Sequence, residues 1–465
     1  MPEPQAGLPL TRADDGTVLI GAPATGPACA LAVLDVAGAV LTWSVLGAPG
    51  LPAAEIHDVG RAQGWLWAVY GEGVAAAVRG LAGAPWGGGV GLSGGAGLAG
   101  GVSHSGGAGL PGEVPAAGDV PPPGEVAPPV HVPRPEHPTP LAHRAARLAL
   151  GHWAARWWPT SHLDAIPALE PDVLGLELAA LTHACQQLFD DAADQPDGDA
   201  AVLLQEHRAA LDPLIAWWHA ERRTTPAGSR LDSVLRLLDD AADNTGVDGE
   251  GWHRLRTSLE SGPDPTADTA PTPGDAPTTP LDLTTLFLPR PHAYALTAGA
   301  PLPPGGRVLA RGAGTNDWHR YPPGCVDASE TAVSWTAYAL GAGRRIEVEV
   351  VADAAAPTGG VLLAAEVEVD GGPPNRVPLA RSDDLWTGRA DLDVPAAATS
   401  PRIEVGVLLP GFDPGPGTDD SAARTAVRAL ARRRLTVAAG PRDGEGTDTE
   451  PFLAEIAASA VQEDY

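Results

Sequence analysis

The chain has 465 residues, a formal net charge of −28, 57 Gly, 49 Pro and three Cys. That length exceeds what one hydrophobic core fills, so several domains are expected, and the Gly and Pro content points to linkers between them. The charge excludes nucleic acid and anionic membrane surfaces as expected partners, because phosphate binding needs a cationic patch.

All 30 basic residues are Arg. A chain without Lys has no P-loop, no kinase strand Lys and no Schiff-base Lys for pyridoxal phosphate. Cys29, Cys185 and Cys325 are too dispersed for a disulfide framework or a Cys-rich zinc site, which fits a reducing compartment. The start, MPEPQAGLPLTRADDG, lacks a basic region followed by an apolar stretch, and no apolar run reaches membrane-spanning length. The expectation is a cytoplasmic protein with no cofactor and no bound metal.

Residues 8–82 read as a small α+β domain. Apolar runs at Thr17 to Ile20, Ala28 to Val36 and Ala39 to Leu46 are punctuated by Gly and Pro, and Ala37-Gly38 makes a hairpin turn. Gly64 to Tyr70 reads as a further strand, followed by an Ala-rich helix from Glu72 to Leu81. Residues 83–139 are Gly/Ser-rich and then Pro-rich, a disordered linker by composition.

Residues 140–261 read as a helical bundle. Ala146, Ala149, Leu150, Trp153 and Trp157 form one apolar stripe, and Leu174, Leu178, Leu181, Cys185 and Leu188 a second. Leu204, Leu211, Ile215 and Trp218 form a third, and Leu231, Val234, Leu235 and Leu238 a fourth, giving four or five helices. Leu188 to Asp194 is echoed at Leu237 to Asp243, which allows a duplicated helical hairpin.

A second linker, 262–280, precedes residues 281–439, whose short alternating runs predict a β-sandwich with a late helix. The strands fall at Val333 to Tyr338, Arg345 to Val351, Val361 to Val369, Arg389 to Val394 and Arg402 to Leu409, and the helix at about Asp420 to Arg434. Residues 440–465 read as a frayed acidic tail. The fold class is therefore multi-domain α+β: a small α+β unit, a Gly/Pro-rich linker, an α-helical bundle and a C-terminal β-sandwich.

Candidate chemistry is sparse. Gly91-Leu92-Ser93-Gly94-Gly95 matches the nucleophile-elbow spacing but lies in Gly-rich text without a strand and helix to shape it. Asp35 ends an apolar run and precedes Val36-Ala37-Gly38 and another, a pattern that resembles the first hairpin of ribonuclease H-like nucleases. That resemblance implies a metal-dependent hydrolase or nuclease in which Glu55 and Glu72, with Asp58 nearby, complete a carboxylate set for metal ions. His131, His137 and His143 recur every six residues without a zinc-binding spacing, and the acidic loops at Asp190 to Asp199 and Asp239 to Glu250 lack the Ca²⁺-loop pattern.

Two features point to binding instead. Trp157-Trp158 and Trp217-Trp218 are paired indoles on helices, where neighbours diverge by about 100°, so Trp158 and Trp217 become candidate interface anchors. Arg424, Arg428 and Arg432 recur at i, i+4 and i+8, a cationic stripe suited to an acidic surface of the chain itself or of a partner. The expected function is a non-enzymatic accessory or adaptor protein. Its expected partner is a protein encoded nearby, with neither nucleic acid nor membrane involved; the hydrolase built on Asp35 is the alternative.

Overall fold

The computed structural model describes residues 7–47, 50–83, 129–135, 137–189, 198–221, 225–261, 307–341, 343–353, 356, 360–392, 401–412, 420–440 and 450–461. It combines helices with antiparallel sheets, and its buried apolar residues form one main core that runs through every unit. The Gly91 to Gly95 match, the second linker and the first copy of the acidic echo from Asp190 lie outside the described residues.

The N-terminal sheet is built from β1 (Leu8–Arg12), β2 (Val18–Ile20), β3 (Leu31–Val36), β4 (Ala39–Ser44), β5 (Ala53–Ile56) and β6 (Val130–Val132), in the order β3-β4-β5-β2-β1-β6. Every pairing is antiparallel. Alternate side chains, among them Leu10, Ile20, Leu34, Leu41 and Ile56, are buried on one face, as the period of two requires. They share a core with Trp65, Leu66 and Val69 of α1 (Val59–Tyr70) and with Val74 and Val78 of α2 (Glu72–Gly83).

Gly38 shapes this unit. It has φ +73°, and a Cβ there would sit 2.3 Å from the Asp58 carbonyl oxygen. The close approach lets His57 N and Asp58 N both donate to the Gly38 carbonyl at 3.0 Å, placing Asp58 to cap α1 through Arg61 N. The run Gly64 to Tyr70, expected as a strand, is thus the second half of a helix. Ala62, Trp65, Leu66 and Val69 recur at helical spacing, and the Asp58 cap outweighs the aromatic bias of the run toward strand.

The boundary at 83–139 also changes. β6 falls inside the expected linker yet pairs with β1, and Thr139 caps α3 (Pro140–Trp157) while its hydroxyl donates to the Ala68 carbonyl. Three residues between prolines carry too little periodicity to announce a strand.

The helical region comprises α3, α4 (Pro171–Ala184), α5 (Gly198–Glu206), α6 (Leu211–Ala220), α7 (Pro226–Thr245) and α8 (Glu250–Ser261). Thr225 with Pro226 starts α7, and Gly246 at φ +69° ends it. α4 is buried on all sides from Val173 to Thr182, marking it as the central helix. Trp153, Leu178, Leu181, Leu188, Leu211, Ile215, Leu235 and Leu238 are all buried in the common core.

The C-terminal strands are β7 (Arg307–Ala313), β8 (Val333–Leu340), β9 (Gly343–Val351), β10 (Ala364–Val369), β11 (Asn375–Pro378), β12 (Ala380–Ser382), β13 (Leu385–Asp391) and β14 (Ile403–Leu408). They form one sheet in the order β12-β13-β9-β8-β7 and another in the order β11-β10-β14. Then come α9 (Ser421–Ala439), capped by Asp420, and α10 (Leu453–Val461).

α10 corrects the expectation of a frayed tail. Phe452, Leu453, Ala454, Ile456 and Ala457 are buried, and the helix packs on α4, α7 and α9. Its apolar residues outweigh the acidic composition around them because they complete the core of the bundle. Among the described residues, no helix is long and apolar enough to cross a membrane.

Candidate functional site

The arginine stripe lies at a junction of the units. Arg424 donates through Nε and Nη2 to the two carboxylate oxygens of Glu330, at 2.8 and 3.0 Å, a fork-to-fork pair. One turn on, Arg428 Nη1 donates to Glu330 Oε1 at 3.1 Å and to the Ala328 carbonyl at 3.2 Å, while its Nε lies 3.4 Å from Asp164 Oδ2. Arg432 reaches Asp164 Oδ1 at 3.0 Å. The i, i+4, i+8 spacing therefore aims three guanidiniums along one side of α9 at two acids, one from the β7–β8 connection and one from the α3–α4 connection.

Burial is uneven along the stripe: Arg424 and Arg428 are buried, whereas the Arg432 side chain keeps 46% exposure. Burial pushes the Glu330 carboxyl up, but the hydrogen bonds and charges of Arg424 and Arg428 outweigh this and hold it below its ordinary value.

Behind the stripe, Asp327 joins the same two connections. Its Oδ1 accepts from Ser161 Oγ at 2.7 Å and from Ser329 N at 2.8 Å, and its Oδ2 accepts from His162 N at 2.7 Å. Asn316 donates to the Asp327 and Ser329 carbonyls at 2.8 and 2.7 Å and accepts from the Tyr321 hydroxyl. The acidic surface that the stripe meets is thus the chain's own. The stripe's partners Glu330 and Asp164 have no signal in the sequence, since each lies about a hundred residues or more from the arginines it holds.

A second ionic centre fixes α10. Glu177 of α4 is 1% exposed and accepts from Arg147 Nη2 at 2.7 Å, from Arg230 Nη2, and from Leu453 N at 2.8 Å. Glu450 adds a second negative charge, 3.1 Å from Arg230 Nη1. Nearby, Arg434 of α9 pairs with the buried Glu455 through two bonds, the Nη2 bond being 2.7 Å.

The other expected site residues are dispersed. Trp158 is half-buried and its indole donates to the Pro167 carbonyl at 2.9 Å, while Trp217 is buried in the core. Asp35 and Glu55 are exposed on the face of the N-terminal sheet opposite the core, each in register with Val40 on the strand between them. Glu72 starts α2, in the helical layer on the other face. Among the described residues no group of three or more His, Cys, Asp and Glu could hold a metal ion. Of the recurring histidines, His131 lies on β6, His137 is exposed in the connection that follows and His143 is on α3.

Sequence reasoning missed a concavity. An open groove of about 750 Å³ runs between α6 and α8, lined by Asp212, Ile215, Ala216 and His219 on one side and by Arg254, Ser258 and neighbouring residues on the other. Arg254 Nη2 pairs with Asp212 Oδ2 at 2.8 Å, and the His219 ring lies 3.4 Å from Ser258 Oγ. The i, i+3, i+4, i+7 spacing of the α6 residues is the available signal, but Ile215 also lies on the core stripe and is buried, which hides it. No known family's sequence model matches the chain, and no curated protein or solved structure matches it.

Proposed function

We propose that the chain is a non-enzymatic adaptor that binds a protein partner, encoded near it, along the α6–α8 groove. The observation that carries this reading is an open concavity lined by a paired Arg and Asp, hydroxyls and the apolar Ile215 and Ala216, set on a body braced by buried ion pairs. Such a lining suits a helix or extended segment that lays an apolar stripe on Ile215 and Ala216 and satisfies the rim. The two C-terminal sheets complete the platform, packing as a β-sandwich, and the expected partner is neither nucleic acid nor membrane.

The test is complex formation by the tagged full chain with each protein encoded beside it, purified separately and read by light scattering after size exclusion. Ala216→Arg and Ser258→Arg fill the groove and are expected to abolish the complex while leaving the circular dichroism unchanged. A complex that survives both substitutions places the partner elsewhere. Metal-dependent phosphodiester hydrolysis lost in Asp35→Asn would instead support the hydrolase reading.

A further inference from the structure

The α6–α8 groove differs in charge from the chain around it. The chain carries 58 acids against 30 basic residues, yet among the described residues the groove lining holds a single carboxylate, Asp212, and that one is paired with Arg254. Arg254 meets it through Nη2 and keeps 52% side-chain exposure, which leaves its other N–H groups for a ligand. His219 and His253 are exposed, one on each helix, and Ser258 and Ser261 add hydroxyls. Thr257 spends its proton on the His253 carbonyl at 2.8 Å. Donors thus outnumber free acceptors, which suits a ligand rich in carboxylate oxygens.

Neighbouring charges leave this balance intact. Glu221, just past the end of α6, accepts from the Thr225 hydroxyl at 2.6 Å. α7 packs on both helices, and its Asp239 and Asp243 are taken by Arg256 of α8. α4 contacts α6 as well, but its Asp172 holds His207 and its Glu177 holds Arg147 and Arg230. Arg208 before α6, and Glu250 and Glu260 of α8, lie outside the lining. The lining runs from Asp212 to His219 and from His253 to Ser261, about 11–12 Å of each helix, or two turns. Ile215 is 9% exposed and Ala216 is small, so apolar burial contributes little and the polar rim decides the fit. The net charge of −28 repels an acidic segment at a distance, but physiological salt screens this beyond about 8 Å, and the donors in contact prevail.

We propose that the groove takes an acidic helical segment of the partner protein, whose carboxylates meet His219, His253 and Arg254, and that mild acid tightens the docking. This assignment rests on the groove being where the partner docks. Histidine gains its proton between about pH 8 and 5, while a partner's Glu stays ionised, so each new cation faces a carboxylate as the pH falls.

The probe is a fluorescein-labelled, stapled Ala/Leu helix of about 15 residues with Glu along one face, and its control has Lys at the same positions. With the full chain, anisotropy should report binding of the Glu helix alone, about fivefold tighter at about pH 5.5 than at 7.5, the size expected of two exposed ion pairs. His219→Gln with His253→Gln should bring the ratio between the two pH values to about one. Arg254→Glu should abolish binding, with circular dichroism as the check on folding; should it fail to fold, the double variant still decides. Equal binding of both helices, binding of neither, or an acid gain that survives in the double variant overturns the proposal. A single-stranded oligothymidine that binds in place of the Glu helix and is lost in Arg254→Glu assigns the groove to nucleic acid and overturns it too. Complex formation with the encoded neighbours is read separately. Binding of the Glu helix without such a complex supports the groove chemistry and removes the neighbours as partners. A complex that Ala216→Arg abolishes, with no preference for the Glu helix, overturns the acidic segment and leaves the docking site standing.

Discussion

Replacing Glu177 with Gln keeps the shape of the side chain and removes its charge from a site that two guanidiniums share. Losing one partner of a buried ion pair costs about 3–5 kcal/mol when the remaining charge is left unmatched. Here the loss is smaller for two structural reasons. The Arg147 and Arg230 side chains keep 16% and 12% exposure, and Glu450 stays within 3.1 Å of Arg230. The Gln amide oxygen can still accept from Leu453 N, although its NH2 then faces the guanidiniums that Oε1 held, so the expected cost is about 2–3 kcal/mol. At about 2–4 °C per kcal/mol for a unit of this size, the thermal midpoint should fall by about 5–10 °C at neutral pH.

The sign of the pH dependence follows from the same contacts. Burial pushes the Glu177 carboxyl up, but Arg147, Arg230 and the Leu453 N–H outweigh it and hold it below the ordinary 4.5. A carboxylate depressed in the folded state contributes stability above its unfolded value, and that contribution is lost as the pH falls through the folded value. The gap between wild type and Glu177→Gln should therefore narrow below pH 4.5. Thermal circular dichroism of both proteins across the acid range measures it. A variant within about 1 °C of wild type at neutral pH, or a gap that stays constant into acid, refutes the reasoning.

Gly175→Ala should destabilise by about 1–3 kcal/mol, because small-to-large changes in a packed site force neighbours out of place. The new Cβ would lie 2.0 Å from His207 Cδ2, in a ring held 3.0 Å from Asp172. A gain of about 1 kcal/mol in chemical denaturation, the size of helix propensity alone, would show that the ring moves aside freely. The thiols are expected to be inert in the folded chain: burial is the main cause pushing Cys185 up to about 12 and Cys29 up to about 11, and Cys325 is raised as well. Titration with a chromogenic disulfide at mildly alkaline pH should label none of the three until guanidinium is added, and prompt labelling of the folded protein would contradict the buried positions.

The helical unit was legible because its stripes repeat locally: Leu178, Leu181 and Leu188 fall where a period of 3.6 puts them, and all are buried. The elements that were misread or missed depend on distant residues. Whether Trp65 to Tyr70 is strand or helix is decided by Asp58 and by the Gly38 turn that positions it. β6 exists because Leu8 and Leu10 offer unpaired backbone across residues 84–129, and α10 because Glu177, 276 residues upstream of Leu453, receives its amide. The arginine stripe itself was readable from spacing; its acceptors Glu330 and Asp164 were not, since no local pattern links a loop carboxylate to a helix about a hundred residues away or more.

The position of α10 also sets an order of events on the ribosome. The helices from α3 to α8 are complete once Ser261 has been made, yet Arg147 and Arg230 meet Glu450, and Glu177 meets Leu453 N, only after residues 262–449 have followed. At about 5–20 residues per second that interval lasts on the order of 10–40 s. Through it the nascent bundle exposes the slot that Phe452, Leu453 and Ile456 later fill. It is an apolar cleft edged by guanidiniums, a form that holdase chaperones bind, so the protein's yield in a cell should track the chaperone supply more closely than the stability of the finished fold would imply.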